Sequence, residues 1–178
     1  AQDLVQTAFG GRFTSMLNTE LRVKSGLTYG ARSGIERASQ PGPAVISSFT
    51  KTETTKAAID LAIATLDRLH RDGLDAATIE SAKRYVAGQY APGLETAPQL
   101  AAQLVDMTLY GESREAVDGY LGKIAAATPA QIAEARMVFP GSKDLAIVAI
   151  GDASKIRDWM KAYGPLTEMK LSDPRFSP

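Results

Sequence analysis

No cysteine occurs among the 178 residues. That excludes disulfides, thiolate metal sites and a cysteine nucleophile, and it fits an oxidising or a reducing compartment equally. Histidine is nearly absent too: His70 stands alone. Neither sign of charge is in excess, with 20 Lys and Arg against 20 Asp and Glu. There is therefore no bulk electrostatic case for nucleic acid or an anionic membrane as partner. No apolar run approaches the roughly 20 residues that a membrane span requires. A G-x-x-x-x-G-K phosphate loop is missing, and Ser15, Ser25 and Ser33 have no histidine at triad spacing. No signal peptide is visible, and the chain starts inside a helical pattern, which leaves a removed upstream segment open. The sequence specifies no compartment; a periplasmic or a cytoplasmic bacterial setting suits it equally.

The length suits one domain with a real core, and an apolar content of 44% is ordinary for a globular chain. The stretch Gly10 to Gly30 organises the sequence. Phe13, Met16, Leu17 and Leu21 recur at helical spacing, so a helix is expected over 13–25. Arg22 and Lys24 fall in its last turn, where cations offset the helix dipole. Glu20 is four residues before Lys24 and suits an i,i+4 pair. Ser25-Gly26 reads as the stop, with Gly26 free to take positive φ. Leu27, Thr28 and Tyr29 then read as extended chain. Arg22 and Tyr29 flank a tight reversal; a strand that folds back beside the helix end can point a guanidinium and a phenol into one space. Spacing alone also allows bland readings: a solvated cation at a helix end, and a strand tyrosine covering the core edge.

Elsewhere the pattern alternates between two periods. Residues 1–9 read as a helix with Leu4, Val5 and Ala8 on one side. Residues 28–38 and 43–52 read as a hairpin turned by ASQPG. From 53 to 71 the period is helical, with Ile59, Ala62, Ile63, Leu66 and Leu69 along one stripe. His70, late in this helix, reads as a surface or partly buried residue. Asp75 is a good N-cap for a helix over 76–90 with Ile79, Ala82, Tyr85 and Val86 inward. Thr96 with Pro98 opens another, with Leu100, Leu104 and Met107 inward and Gly111 closing it. Ser113 starts a run carrying Val117, Tyr120, Leu121 and Ile124. Thr128-Pro129-Ala130-Gln131 reads as a capping box. LAIVAIG, 145–151, is a near-continuous apolar run that suggests a central buried strand. A last helix over 153–163 places Trp159 as a core anchor. The expectation is a single α+β domain over 1–164, an antiparallel sheet backed by helices, and a loosely held tail over 165–178 with Pro174, Ser177 and Pro178. Three strands are evident, few for such a sheet.

The run Gly10, Gly11, Phe13, Ser15, Leu17, Leu21, Arg22, Gly26, Leu27 and Tyr29 resembles the G-G-x-F-x-S-x-L-x-x-x-L-R-x-x-x-G-L-x-Y pattern of the second, zinc-free half of pitrilysin/insulinase-type (inverzincin) zinc peptidases. A looser similarity extends from about Ala1 to Asp152. Met16 departs from it, since many relatives carry Arg there, so an ion pair at that position is not implied. The resemblance implies the metallopeptidase-half fold of the LuxS/mitochondrial-processing-peptidase-like type, with helices on one face of the sheet. It also implies a further strand before the first helix, which this chain is expected to lack: an omitted upstream segment, an upstream half or a neighbouring chain would supply that edge. The family's zinc motif, His-x-x-Glu-His, needs two histidines in one helix, so zinc is expected on a partner domain and none on this chain. The chain alone would be catalytically inactive.

The partner implied is a zinc-bearing homologous domain, upstream in the same polypeptide or on a separate subunit. The two would close a chamber around a peptide substrate. In that family the matching Arg and Tyr hydrogen-bond the substrate carbonyl and its oxyanion, which assigns Arg22 and Tyr29 an assisting catalytic role. Gly10, Gly11 and Phe13 are carried over with them as substrate-binding residues. The glycines also suit an unusual turn between helices. A structural or assembly subunit of the same fold, or a peptide-binding module, is the alternative.

Overall fold

A computed structural model describes residues 1–37 and 40–172 of the chain. The first helix, α1 (Gln2–Gln6), runs on as a π turn over Thr7–Gly11. Leu4, Val5, Ala8 and Phe9 are all buried, so this segment is the centre of the core. The second helix, α2 (Met16–Asn18), also continues as a π turn, Thr19–Lys24. The buried Ser15 side chain caps it by accepting from the Asn18 N–H at 3.4 Å.

A hairpin follows. Strand β1 (Ala31–Arg37) pairs antiparallel with β2 (Pro41–Ser48), in a register that sets Ser33 opposite Ile46 and Ile35 opposite Ala44. Side chains alternate across a strand, so Ala31, Ser33, Ile35, Ala44 and Ile46 share one face. Ala31 and Ser33 are buried on it, and Ile35, Ala44 and Ile46 pack against the core. Arg32, Val45 and Ser47 occupy the opposite face. The sheet therefore has helices behind one side, the expected α+β arrangement. Gly10 makes this packing possible: a Cβ there would overlap the Ser33 backbone nitrogen and side chain. Of the predicted ASQPG turn, Ala38 and Ser39 lie outside the described residues.

The helices beyond the hairpin follow local signals closely. Helix α3 (Thr55–Asp72) buries Ala58, Thr65, Leu66 and Leu69 and stops at Gly73, whose φ is 70°. Helix α4 (Ala76–Tyr90) is capped by Asp75, whose carboxylate accepts from the Thr78 N–H at 2.6 Å. Helix α5 (Ala97–Tyr110) has the Thr96/Gln99 capping box and ends at left-handed Gly111. Gly119 divides the next run into α6 (Arg114–Asp118) and α7 (Tyr120–Ala126). Helix α8 (Pro129–Ala135) has the expected Thr128/Gln131 box, and α9 (Ala153–Met160) closes the series. Phe139, after α8, meets Phe9 edge-on, with ring centroids 4.7 Å apart.

Several expectations fail, each for want of a neighbour. Among the described residues the sheet has two strands rather than three. Segment 145–151 is not a buried central strand: no backbone partner pairs with it among the described residues. Leu145, Ile147 and Ala149 are half-buried while Val148 and Ile150 are 85% and 78% exposed, so one face alone is covered. Helix α5 buries no residue; Leu100 and Leu104, expected inward, face solvent, the latter 62% exposed. Tyr85 and Leu121 are exposed as well. Trp159 is half-buried outside the core cluster, its indole N–H donating to the Lys155 carbonyl at 3.1 Å. In the tail, Glu168 pairs with Arg157 at 2.6 Å, while Pro174, Ser177 and Pro178 lie outside the described residues.

Candidate functional site

The reversal between α2 and β1 is built around one carbonyl. Leu21 O accepts from the Leu27 N–H at 2.9 Å, the Thr28 N–H at 3.3 Å and the Ser25 hydroxyl at 2.9 Å. Gly26 stands at φ 64°, the left-handed conformation that lets the chain turn back. The returning segment is then fixed to the end of β2 by side chains. Thr28 Oγ1 donates to the Phe49 carbonyl at 2.6 Å and accepts from the Gly30 N–H at 3.1 Å. Thr50 Oγ1 donates to the Leu27 carbonyl.

These constraints bring Arg22 and Tyr29 together. The guanidinium carbon of Arg22 lies over the Tyr29 ring, 4.6 Å from its centroid, and over the Phe13 ring at 4.7 Å. Both rings are at the surface, Tyr29 77% and Phe13 58% exposed, and Arg22 is half-buried. Cation–π contact engages the flat faces of a guanidinium. Its N–H edges remain in the plane, where carbonyl or carboxylate oxygens bind. Among the described residues no carboxylate pairs with Arg22, and no hydrogen bond is made by the Tyr29 hydroxyl.

Glu20, the acid nearest in sequence, is taken up elsewhere. Its carboxylate pairs with Lys24 and with Arg68 of α3, each at 2.9 Å. The hydrogen bond from Lys24, helped by Arg68, holds it below the usual glutamate range, against the opposing effect of burial. The local charge is thus neutralised around Glu20 and left uncompensated at Arg22.

Gly10 is buried against β1 and Gly11 lies against the Gln6 carbonyl, so both meet backbone of this chain. The residue that the motif did not single out is Asn18, buried beneath the site. Its side chain joins the Phe13 carbonyl to the Ala31 N–H, at 2.7 and 3.3 Å. A polar residue three positions before Leu21, on the buried flank of the apolar stripe, was the available signal.

Among the described residues no group of three or more His, Cys, Asp or Glu side chains is placed to hold a metal. The ring of His70 meets the Pro140 carbonyl at 3.2 Å. No helix among the described residues is long and apolar enough to cross a membrane.

Known proteins share this architecture. A peptidase M16 inactive domain from Pseudomonas fluorescens superposes with a TM-score of 0.69 at 25% identity, over 75% of this chain and 32% of its own. A protease from Helicobacter pylori gives 0.68 at 15% identity, over 76% of this chain and 33% of its own. A candidate zinc protease from Bordetella pertussis gives 0.61 at 16% identity, over 75% of this chain and 73% of its own. The chain thus spans about a third of the length of the first two. Among curated proteins there is no match. The family model of the peptidase M16 inactive domain matches residues 1–86, the part that holds the reversal, the hairpin and α3. Over those residues, just under half of its length, the chain is similar to the peptidase M16 inactive domain.

Proposed function

We propose that this chain is the zinc-free half of a metallopeptidase and completes a peptide-binding chamber with a zinc-bearing partner. The observation that carries the reading is the half-buried Arg22, its guanidinium over the Phe13 and Tyr29 rings and, among the described residues, unpaired with any carboxylate, next to a Tyr29 hydroxyl that makes no hydrogen bond among them. When a nucleophile adds to a peptide carbonyl, negative charge develops on the oxygen. A permanently charged planar donor and a neutral phenol, both already ordered, suit that oxygen. Fixed donors of this kind stabilise the transition state without reorganising during the reaction. In this reading Phe13, exposed beside Arg22, offers an apolar surface to the flanking part of a bound peptide. Metal, base and attacking water belong to the partner in this reading.

The test combines the chain with a zinc-bearing partner domain and follows cleavage of a fluorogenic peptide. Arg22→Ala is expected to lower kcat by roughly 100- to 1000-fold, the usual effect of removing one oxyanion donor, and Tyr29→Phe somewhat less. Arg22→Lys, which keeps the charge but not the planar fork, recovers a fraction. Turnover that survives both Arg22→Ala and Tyr29→Phe in an active mixture removes the assigned role.

A further inference from the structure

Two aromatic rings and a cation at a surface do not stay stacked by attraction alone, since an exposed cation–π contact is weak beside the freedom the side chains lose. Phe13 and Tyr29 also come from separate parts of the chain: one precedes α2 and the other follows it. Something buried must set the distance between them. Asn18 lies between the two backbones and is 5% exposed. Its Nδ2 donates to the carbonyl of Phe13 itself at 2.7 Å. Its Oδ1 accepts from the N–H of Ala31, two residues beyond Tyr29, at 3.3 Å.

The chemistry of these two bonds admits few side chains. One partner is an acceptor and the other a donor, so the bridging group must offer both at once. Turning the amide over would set oxygen against carbonyl and N–H against N–H. Aspartate keeps the acceptor but loses the donor when ionised; serine is too short to reach both. Burial sharpens the requirement, because a buried backbone group left without a partner keeps the full cost of its lost hydration.

We propose that Asn18 is a positioning residue for Arg22: by tying the Phe13 carbonyl to the Ala31 N–H it holds the two rings at the spacing that fixes the guanidinium. The clamp itself is a property of this chain; its consequence for turnover rests on the reading under Proposed function.

Two readouts separate the two. In the 178-residue chain, the Arg22 Nε–H proton resonance reports the rings directly. It is expected upfield of free arginine, less so in Phe13→Leu, and restored in Phe13→Tyr. Asn18→Asp at neutral pH and Asn18→Ser should both move it toward the free value while the Leu17 and Leu21 methyl resonances stay in place. In the assembled peptidase, Asn18→Ser should lower kcat by about tenfold or more with KM little changed, as a loss of alignment does. A wild-type resonance at the free-arginine position overturns the proposal. So does a folded Asn18 variant with an unmoved resonance. If both Asn18 variants unfold, Asn18 serves the fold and the proposal is wrong. A clamp present while Arg22→Ala leaves turnover intact defeats the catalytic reading and leaves the clamp standing. A wild-type resonance at the free position while Arg22→Ala abolishes turnover does the reverse.

Discussion

Gly10 shows how one residue serves the site from a distance. It is buried where the π turn after Gln6 crosses β1, and Ser33 occupies the space a side chain would need. The same crossing lets the Ser33 hydroxyl donate to Gln6 Oε1 at 3.1 Å, so β1 is held against the first helix. Gly10→Ala should therefore destabilise the chain by about 1–3 kcal/mol or more, the usual range for overpacking, as measured by urea unfolding. A loss under about 0.5 kcal/mol would show that β1 moves aside freely. The Arg22/Tyr29 pair was legible in sequence because its cause is local: a helix end, a glycine and a strand start follow one another directly. Asn18 was not, because its bonds run to residues on either side and its value depends on burial. The glycines were half legible. Their need for close backbone approach could be read, but not which backbone each meets within the chain, Ser33 of β1 for Gly10 and the Gln6 carbonyl for Gly11.

At the scale of elements, caps were read well and faces badly. Asp75, Thr96 and Thr128 cap where expected, since a cap is set by residues three apart. The stripe on α5 was equally visible, yet a stripe says that a face wants cover and not that cover exists. Leu104→Gln on this exposed helix should change the unfolding free energy by no more than about 0.5 kcal/mol. Leu66→Ala, in the core beside Leu69, should cost about 2–5 kcal/mol. Similar losses at both positions would mean that α5 packs in solution. The apolar run at 145–151 failed for a related reason: composition cannot distinguish a strand with a neighbour from one without. With no backbone partner for Ala146 to Ile150 among the described residues, these amides should exchange with deuterium far faster than those of β1. Protection equal to that of β1 would reveal a pairing partner.

Across the whole molecule, Glu20 links the site to the core. It lies on the π turn that carries Arg22, and its bond to Arg68 reaches α3, 48 positions away. Its side chain is only 14% exposed, but Arg68 and Lys24 are 36% and 62% exposed, so solvent screens both pairs in part. Because Lys24 and Arg68 hold the folded-state carboxyl below its usual value of 4.5, the folded chain binds this proton less readily than the unfolded chain. The sign follows: the contribution to stability is complete above the ordinary glutamate range and disappears as pH falls through the lowered value. Glu20→Gln should thus reduce the unfolding free energy by roughly 1 kcal/mol at neutral pH, near the upper end for a partly exposed pair. The difference from wild type should shrink as the solution is acidified below the usual glutamate value. A pH-independent difference would assign the loss to packing rather than charge. The same variant probes the site, because a neutral amide in place of the Glu20 carboxylate releases Arg68 and Lys24 without offering Arg22 a new partner. The Arg22 Nε–H resonance should therefore stay in place in Glu20→Gln even as stability falls. A shift as large as that in Phe13→Leu would mean that the ion pairs to α3, and not the two rings, set the guanidinium's position.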